Sequence, residues 1–179
     1  TVDLTLGLKV EHNSYTGAEV LPNARLAWRL SWERMVWLAA TRAVRAPSRV
    51  DREFHSMGIS PTTVRGGPEF QSEIAEVLEI GYRAQASPAF SYSLTVFHHW
   101  YDRLRSFEPL PGGGGLEIRN RMEGTAHGAE AWGTYRVSDN FRLSAGAVFQ
   151  RMQLRLEPGS LSAGGVAVQG NDPDHWITM

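Results

Sequence analysis

Apolar and polar residues alternate along most of this chain, which is the period of a β-strand with one apolar face. The opening stretch from Val2 to Glu11 is apolar at every even position and polar or glycine at every odd one. The same alternation predicts seven further strands, at 21–30, 35–44, 73–84, 90–101, 118–137 and 141–150, with the last beginning at 175.

The predicted connections alternate in length along the chain. Long polar or glycine-rich loops are predicted at 12–17, 47–72, 106–116 and 157–174, and tight turns at 31–34, 85–89 and 138–140. Adjacent antiparallel strands place every second connection at the same end of a sheet, so all the long loops share one end. Strands of ten or more residues exceed the ~5–6 of soluble sheets and match the ~9–11 needed to cross a bilayer at a tilt.

The two faces of the predicted strands differ in chemistry. One face is apolar, and the other mixes Ser, Thr and Gly with charged or amide side chains, which are Arg25, Arg29, Glu79, Arg83, Glu130, Arg142 and Gln150. Such charges are costly in a dry sandwich core and tolerated in a watered lumen. In lipid, a sheet satisfies every backbone group only when it closes into a barrel. The pattern therefore predicts an all-β fold, an antiparallel up-and-down transmembrane β-barrel.

Aromatic residues cluster towards both ends of the strands, as in the belts of membrane barrels. The cluster near the short-turn end comprises Trp28, Trp32, Trp37, Tyr82, Phe90, Tyr92, Tyr135 and Phe141. The cluster near the long-loop end comprises Trp100, Tyr101 and Phe149.

Composition narrows the functional classes. The formal net charge of -1 over 179 residues gives no electrostatic case for nucleic acid. The absence of cysteine excludes disulfides, cysteine-ligated metal and thiol catalysis. No nucleophile-elbow motif is present, so we predict neither an enzyme nor a bound cofactor. Both ends of the sequence lie in strand-like patterns, and we expect the chain to be an internal piece of a longer protein.

Five segments carry motifs in a recognisable order. They are 37–47 (WLAATRAVRAP) with the acidic stretch 51–53, 66–83 (GGPEFQSEIAEVLEIGYR), 96–104 with its Val-Phe and Tyr-Asp-Arg-Leu, 120–130 with its N…G…GAE, and 170–175 (GNDPDH). Each motif alone is weak. The ordered set, which covers nearly the whole chain, resembles the barrel of TonB-dependent outer-membrane receptors.

The resemblance implies a barrel of about 22 strands around a plugged lumen, of which this chain supplies about eight. The plug domain, the segment that binds TonB and the closing strands would lie outside it. A member would sit in the bacterial outer membrane, contact its lipid, bind a scarce chelate such as a ferric siderophore, and import it with energy from the TonB complex. Two alternatives remain: a passive outer-membrane channel or porin, and a soluble β-sandwich binding module, which predicts short strands and loops of unordered length.

Candidate ligand-binding residues lie where strands meet the long loops. Arg103, Arg105 and Phe107 follow the strand at 90–101, and arginine and aromatic groups at such a position can hold an anionic chelate. His55 and Arg65 in the longest loop carry the same argument. Simple solvation of the loop bases is the competing interpretation.

Histidine and carboxylate pairs are the remaining candidates. Asp172 and His175, with Asp174 between them, have metal-ligand chemistry, but the intervening proline makes a tight turn an equally good explanation. His98 and His99 are adjacent on a strand, so their side chains point to opposite faces and cannot bind one metal together. We therefore predict no metal site and keep Asp172 and His175 as ligand-binding candidates.

Overall fold

The computed structural model describes residues 1–56, 63–169 and 172–178. The strands are β1 (Val2–Asn13), β2 (Gly17–Arg29), β3 (Arg34–Arg45), β4 (Thr63–Arg65), β5 (Glu73–Ser87), β6 (Phe90–Pro109), β7 (Gly115–Ser138), β8 (Phe141–Leu156) and β9 (His175–Thr178). A short helix, α1 (Arg49–Glu53), and a 3₁₀ turn, Gly165–Val168, lie in the loops. Among these residues no helix has both the length and the apolar character to span a membrane.

All nine strands belong to one sheet. Eight pair antiparallel in chain order, β1-β2-β3-β5-β6-β7-β8-β9, and the short β4 pairs parallel with the start of β7. The sheet is open, with β1 and β9 at its edges. This arrangement confirms the predicted all-β antiparallel meander of about eight strands, seven of them long and the last, β9, four residues. A sandwich needs a second sheet packed on the first, and the described residues form only one.

The first connection is tighter than the sequence suggests. β1 and β2 stay paired to Asn13 and Gly17, so the loop predicted at 12–17 is a short turn. The Asn13 side-chain oxygen accepts the N–H groups of Tyr15 (3.0 Å) and Thr16 (2.8 Å), and it thereby replaces strand pairing within the turn. The prediction of a long loop at this point is wrong because an Asx turn closes the hairpin directly.

The loop predicted at 106–116 is also shorter than expected. β6 and β7 remain neighbours out to Pro109 and Leu116, and only 110–114 turns the chain. Gly112, Gly113 and Gly114 all have φ above +80°, a conformation that glycine adopts without strain. The four connections at 14–16, 46–72, 110–114 and 157–174 still share one end of the sheet, here called the outer end.

Cross-strand register sorts the side chains into two faces. One lateral row, on the outward face, is entirely apolar and comprises Leu4, Leu26, Leu38, Ile80, Val96, Ala129 and Phe149. The adjacent row, on the lumenal face, comprises Thr5, Arg25, Ala39, Glu79, Phe97, Gly128 and Gln150. The faces agree with the alternation read from the sequence.

Aromatic residues on β6 mark the height of the outward apolar band. Phe90 lies 5.7 Å from Tyr92 and 6.4 Å from Tyr135 between ring centroids, and these three rings form one border. Trp100 forms the other border. From Phe90 to Trp100, a rise of about 3.3 Å per residue at a tilt of about 40° gives roughly 25 Å, the band height typical of outer-membrane barrels.

Large lumenal rings lie flat over glycines of the neighbouring strand. Trp37 and Gly81 are lateral neighbours in the register, and the Trp37 ring covers that glycine. Phe97 covers Gly128 in the same way. A Cβ at either glycine would lie within 3.0 Å of the ring that covers it. Trp37 is therefore a lumenal residue, and its predicted place in the outward aromatic belt is wrong. The same prediction is wrong for Tyr101, which lies on the lumenal face beside His99.

We expect Gly81→Ala to destabilise the barrel by about 1–3 kcal/mol, because the new methyl group collides with the Trp37 indole in a packed site. Gly133→Ala is the matched control, since a Cβ there meets the Phe90 ring at an ordinary 3.5 Å. The measurement is urea unfolding of the intact protein in vesicles. Equal losses for the two variants would contradict the close packing of Trp37 on Gly81.

Candidate ligand-binding site at the outer end

A buried carboxylate anchors the loop between β3 and β5. Asp51 on α1 is fully buried. Its carboxylate accepts the N–H (2.9 Å) and hydroxyl (2.8 Å) of Ser48, which caps the helix, and a bond from Arg45 Nη1 (2.9 Å). Arg105 Nη1 lies 3.4 Å from its other oxygen. The helix is thereby tied to the ends of β3 and β6.

The electrostatics keep this anchor ionised. Burial raises the pKa of Asp51, but the bonds from Arg45 and Ser48 outweigh burial and hold its pKa below the ordinary value of 3.8. Arg45 also binds the Glu73 carboxylate at the start of β5, and Glu73 accepts the backbone N–H of Arg105 at 2.8 Å. The loop is therefore fixed against three strands at once.

A second buried carboxylate fixes β4. Glu117 on β7 is 5% exposed and accepts two bonds from the Arg65 guanidinium (2.8 and 2.5 Å) and one from Arg119 Nε (2.6 Å). Burial raises the pKa of Glu117, and the two arginines more than offset this effect, so its pKa is lowered. Arg65, a ligand-binding candidate from the sequence, is thus engaged in holding β4 against β7.

Arg103 has an unusual backbone. The β6–β7 register shifts between Tyr101 and Leu104, and Arg103 within this bulge has a φ of 57°. It is the one non-glycine residue of the described segments in the left-handed region. This conformation costs about 1–3 kcal/mol and persists only where neighbouring contacts enforce it. Asn120 enforces it, since its side-chain amide donates to the Arg103 carbonyl (2.6 Å) and to the Gln71 carbonyl (3.1 Å).

The bulge places Arg103 between two clefts at the outer end. The first cleft, of about 570 Å³, is also lined by Tyr15, Thr16, Ala18, Glu19, Arg52, Glu69, Phe70, Gln71 and Ser72. The second, of about 310 Å³, shares 69–71 and is lined by Gly67, Glu117, Arg119, Asn120, Arg121 and Glu157. Glu19 shares the face of Asn23 and Arg25, so the first cleft opens on the lumenal side.

The two clefts differ in how far their arginines are already paired with carboxylates. In the second, Arg119 binds Glu117, and Arg121 lies 3.2 Å from Glu157. In the first, Arg52 donates to the Tyr15 carbonyl (2.7 Å) and lies 5.2 Å from the Tyr15 ring centroid. Arg103 has its nearest carboxylate 3.5 Å away, at its own neighbour. The first cleft therefore offers donors that are less occupied by carboxylates.

The structure separates the candidates that the sequence grouped together. Arg103 lines the clefts, whereas Arg105 binds Asp51 and lies 5.9 Å from the Phe107 ring centroid. The Phe107 main chain pairs with the loop after β8, through the Ser162 hydroxyl (3.0 Å) and the N–H of the next residue (2.8 Å). Arg105 and Phe107 thus brace the loops, and they do not line either cleft.

The other three candidates lie apart from the clefts. His55 is exposed and forms a backbone bridge with Arg65. Asp172 lines a separate cavity of about 180 Å³ beside Tyr101 and Leu104. The His175 ring stacks on Phe149 of the outward face, with 6.5 Å between centroids.

Histidines 98 and 99 lie on opposite faces, as predicted. His98 packs 4.3 Å from Trp100 and 6.0 Å from His127 on the outward face, between ring centroids. His99 shares a 3.0 Å hydrogen bond with the Tyr101 hydroxyl on the lumenal face. Across residues 1–56, 63–169 and 172–178, no three His, Cys, Asp or Glu side chains form a group that could hold a metal ion.

Sequence reasoning missed most of the first cleft. Tyr15 comes from the β1–β2 turn, Arg52 from α1 and Gln71 from the stretch before β5. No spacing in the sequence connects these residues, because only the folding of the loop over the sheet brings them together. Asn120, which fixes Arg103, was named as a motif residue without this role.

Comparison with known families decides the class of the protein. The family model described as TonB dependent receptor-like, beta-barrel matches residues 1–175. The chain belongs to the TonB-dependent receptor β-barrel family. Members of this family are outer-membrane transport receptors and not enzymes. A comparison with curated proteins finds no match.

Solved receptor structures share the fold. A ferric enterobactin receptor mutant from Pseudomonas aeruginosa, in complex with enterobactin, has a TM-score of 0.69 at 19% identity, over 84% of this chain and 24% of that one. The siderophore receptor PirA from Pseudomonas aeruginosa has a TM-score of 0.71 at 18% identity, over 85% of this chain and 31% of that one. The siderophore receptor PirA from Acinetobacter baumannii has a TM-score of 0.71 at 16% identity, over 98% of this chain and 28% of that one. This TonB-dependent receptor chain thus spans less than a third of each match.

Proposed function

We propose that the protein containing this chain is a bacterial outer-membrane active-transport receptor. It binds a ferric siderophore or similar chelate with its outer-end loops and imports it with energy supplied by TonB. Residues 1–179 are then part of one transmembrane β-barrel domain, and a plug domain elsewhere in the protein couples this barrel to TonB. Family membership and the likeness to siderophore receptors support the proposal.

The backbone conformation and position of Arg103 are the observation that supports the ligand assignment most directly. Its strained backbone, its place in a bulge and its position between two clefts are typical of residues held in place for binding. Arg52 lies in the same cleft, and guanidinium groups bind anionic oxygen ligands strongly. Glu19 and Glu69 also line this cleft, so a ligand must present hydroxyl or amide donors as well as anionic oxygens.

We expect Arg103→Ala in the intact receptor to weaken binding of iron-loaded enterobactin, used as an anionic triscatecholate probe, by about tenfold or more. Arg49→Ala is the matched control, because this arginine is exposed on α1 and, within the part of the chain that the structure describes, pairs only with Glu53. Radioiron binding to whole cells gives the affinities. Unchanged binding by Arg103→Ala, or an equal loss in both variants, would remove Arg103 from the ligand site.

A transport assay separates the receptor from a passive channel. Uptake of a bound chelate by an active receptor requires TonB and stops when the inner membrane is uncoupled, whereas passive flow through a pore requires neither. We expect accumulation of radioiron to be lost in cells without TonB while surface binding remains. Accumulation that persists without TonB would favour the channel.

A further inference from the structure

An apolar groove of about 680 Å³ crosses the outward face near the outer end. Its floor is made of small side chains, Pro22, Ala24 and Ala40, and its borders are Leu6 and Leu78. Register explains the shape, because Leu6, Ala24, Ala40 and Leu78 are successive lateral neighbours from β1 to β5. Two central alanines between flanking leucines leave a trough as deep as the missing side-chain atoms.

A charged cleft of about 640 Å³ adjoins the groove on its outer-end side. The two surfaces share Arg42, Glu76 and Trp100. The cleft is also lined by Asp102 and by Arg155, which binds Glu123 at 2.8 Å. An apolar trough thus continues directly into a charged one.

Arg42 is the cation at the junction. Its guanidinium donates to the Val20 carbonyl at 2.6 Å, and no carboxylate of the described residues lies within 4.0 Å of it. Glu76, its lateral neighbour on β5, also has no ion-pair partner within that part of the chain. The junction therefore holds one cationic donor and one anionic acceptor, neither of them neutralised by the other.

The position of Trp100 sets the depth of both surfaces. Tryptophan at the border of the apolar band lies at the level of the lipid headgroups. The groove, on the hydrocarbon side of this ring, faces acyl chains. The charged cleft, on its other side, faces the headgroups of the leaflet that meets the long loops.

We propose that the groove and the charged cleft together bind one phosphorylated, multiply acylated glycolipid of the outer leaflet. An acyl chain fills the trough over Ala24 and Ala40, and a phosphate accepts hydrogen bonds from Arg42. Glu76 accepts hydrogen bonds from sugar hydroxyl groups, which favours a glycolipid over a phosphodiester lipid without a sugar. The inference rests on the outer-membrane location in the proposed function.

Two variants of the intact, detergent-purified protein test the site, with purified bisphosphorylated lipid A as the probe and native mass spectrometry as the readout. We expect Arg42→Gln and Ala40→Trp each to reduce the fraction of protein carrying lipid A at least about fivefold. The first variant removes the phosphate donor, and the second fills the trough while keeping an apolar outward surface.

Matched controls lie elsewhere on the sheet. Arg136 also donates to a backbone carbonyl, that of Pro88 at 3.1 Å, but at the short-turn end. Ala131 is an outward alanine on β7, opposite Leu94 and Ala147. We expect Arg136→Gln and Ala131→Trp to bind lipid A as the unchanged protein does.

Other outcomes decide against the site in distinct ways. Unchanged binding by Arg42→Gln and Ala40→Trp, or equal losses in the controls, overturns it, and equal binding of dephosphorylated lipid A overturns the phosphate assignment. Dissociation of a dimer by Ala40→Trp with unchanged lipid would instead assign the groove to a second copy. A protein that is in the outer membrane but lacks this lipid refutes the inference alone, whereas a protein found in another compartment refutes the proposed function too.

Discussion

Asp51→Ala is expected to release the loop between β3 and β5 and to cost about 2–4 kcal/mol of local stability. The variant removes a buried carboxylate that accepts bonds from Arg45, Ser48 and Arg105. Breaking a buried pair typically costs ~3–5 kcal/mol, and the loss is smaller here because the two arginines left behind are partly exposed. Loss of the half of the capping box in which Asp51 accepts the Ser48 N–H adds to the effect.

Hydrogen exchange of the intact receptor measures this prediction. Amides at 48–56 and 63–72 should lose protection, while the mid-strand amides of β5 and β6 should not. Glu53→Ala is the control on the same helix, because among the described residues its exposed carboxylate binds only Arg49 (2.9 Å) and the Tyr15 hydroxyl (2.7 Å). We expect that control to leave the protection of these amides almost unchanged, because exposed ion pairs contribute little to stability. Similar losses of protection in both variants would mean that Asp51 is not the anchor.

Leu94→Arg is expected to destabilise the folded barrel by about 2–4 kcal/mol, whereas Thr95→Arg should cost much less. Leu94 is 49% exposed on the outward face and lies between the aromatic borders at Phe90 and Trp100. A charge there lies near the middle of the hydrocarbon. Thr95 faces the lumen beside Glu130, which can pair with a new arginine.

The two substitutions differ by one position, so each is the other's control. Equilibrium refolding of the intact protein into vesicles over a denaturant series gives both free energies of unfolding. Equal costs would contradict the assignment of an outward and a lumenal face, and a larger cost for Thr95→Arg would reverse that assignment.

The strands and their faces were predictable because the membrane enforces a strict period of two. Leu94 and Val96 alternate with Thr95 and Phe97 in the sequence, and the register places them as that alternation requires. The exceptions are aromatic residues. Trp37 was assigned to the outward belt because its ring is apolar, but a glycine opposite it allows an indole to lie on the lumenal wall. Side-chain type alone does not reveal such a pairing.

Loop ends and the site were less predictable because they depend on contacts distant in sequence. The turn after β1 closes through the Asn13 side chain, which turn chemistry could have indicated. Arg103 was selected because it follows the strand predicted at 90–101, but β6 continues to Pro109 and Arg103 lies in a bulge within it. Asn120, 17 positions later, fixes that bulge. Asp51 belonged to a recognised motif, yet its burial follows from the packing of Arg45 and Arg105 around it.

The flat rings on the lumenal wall have a consequence for the bore of the barrel. A ring lying against the sheet adds only its own thickness, about 3.5 Å, to the wall, whereas the same ring standing upright would project by roughly twice that distance. The Trp37 and Phe97 rings, each above a glycine, therefore give this part of the wall a low relief. These large rings therefore narrow the bore less than their length would suggest, and the extended side chains of the same wall, such as Arg25 and Glu79, project further.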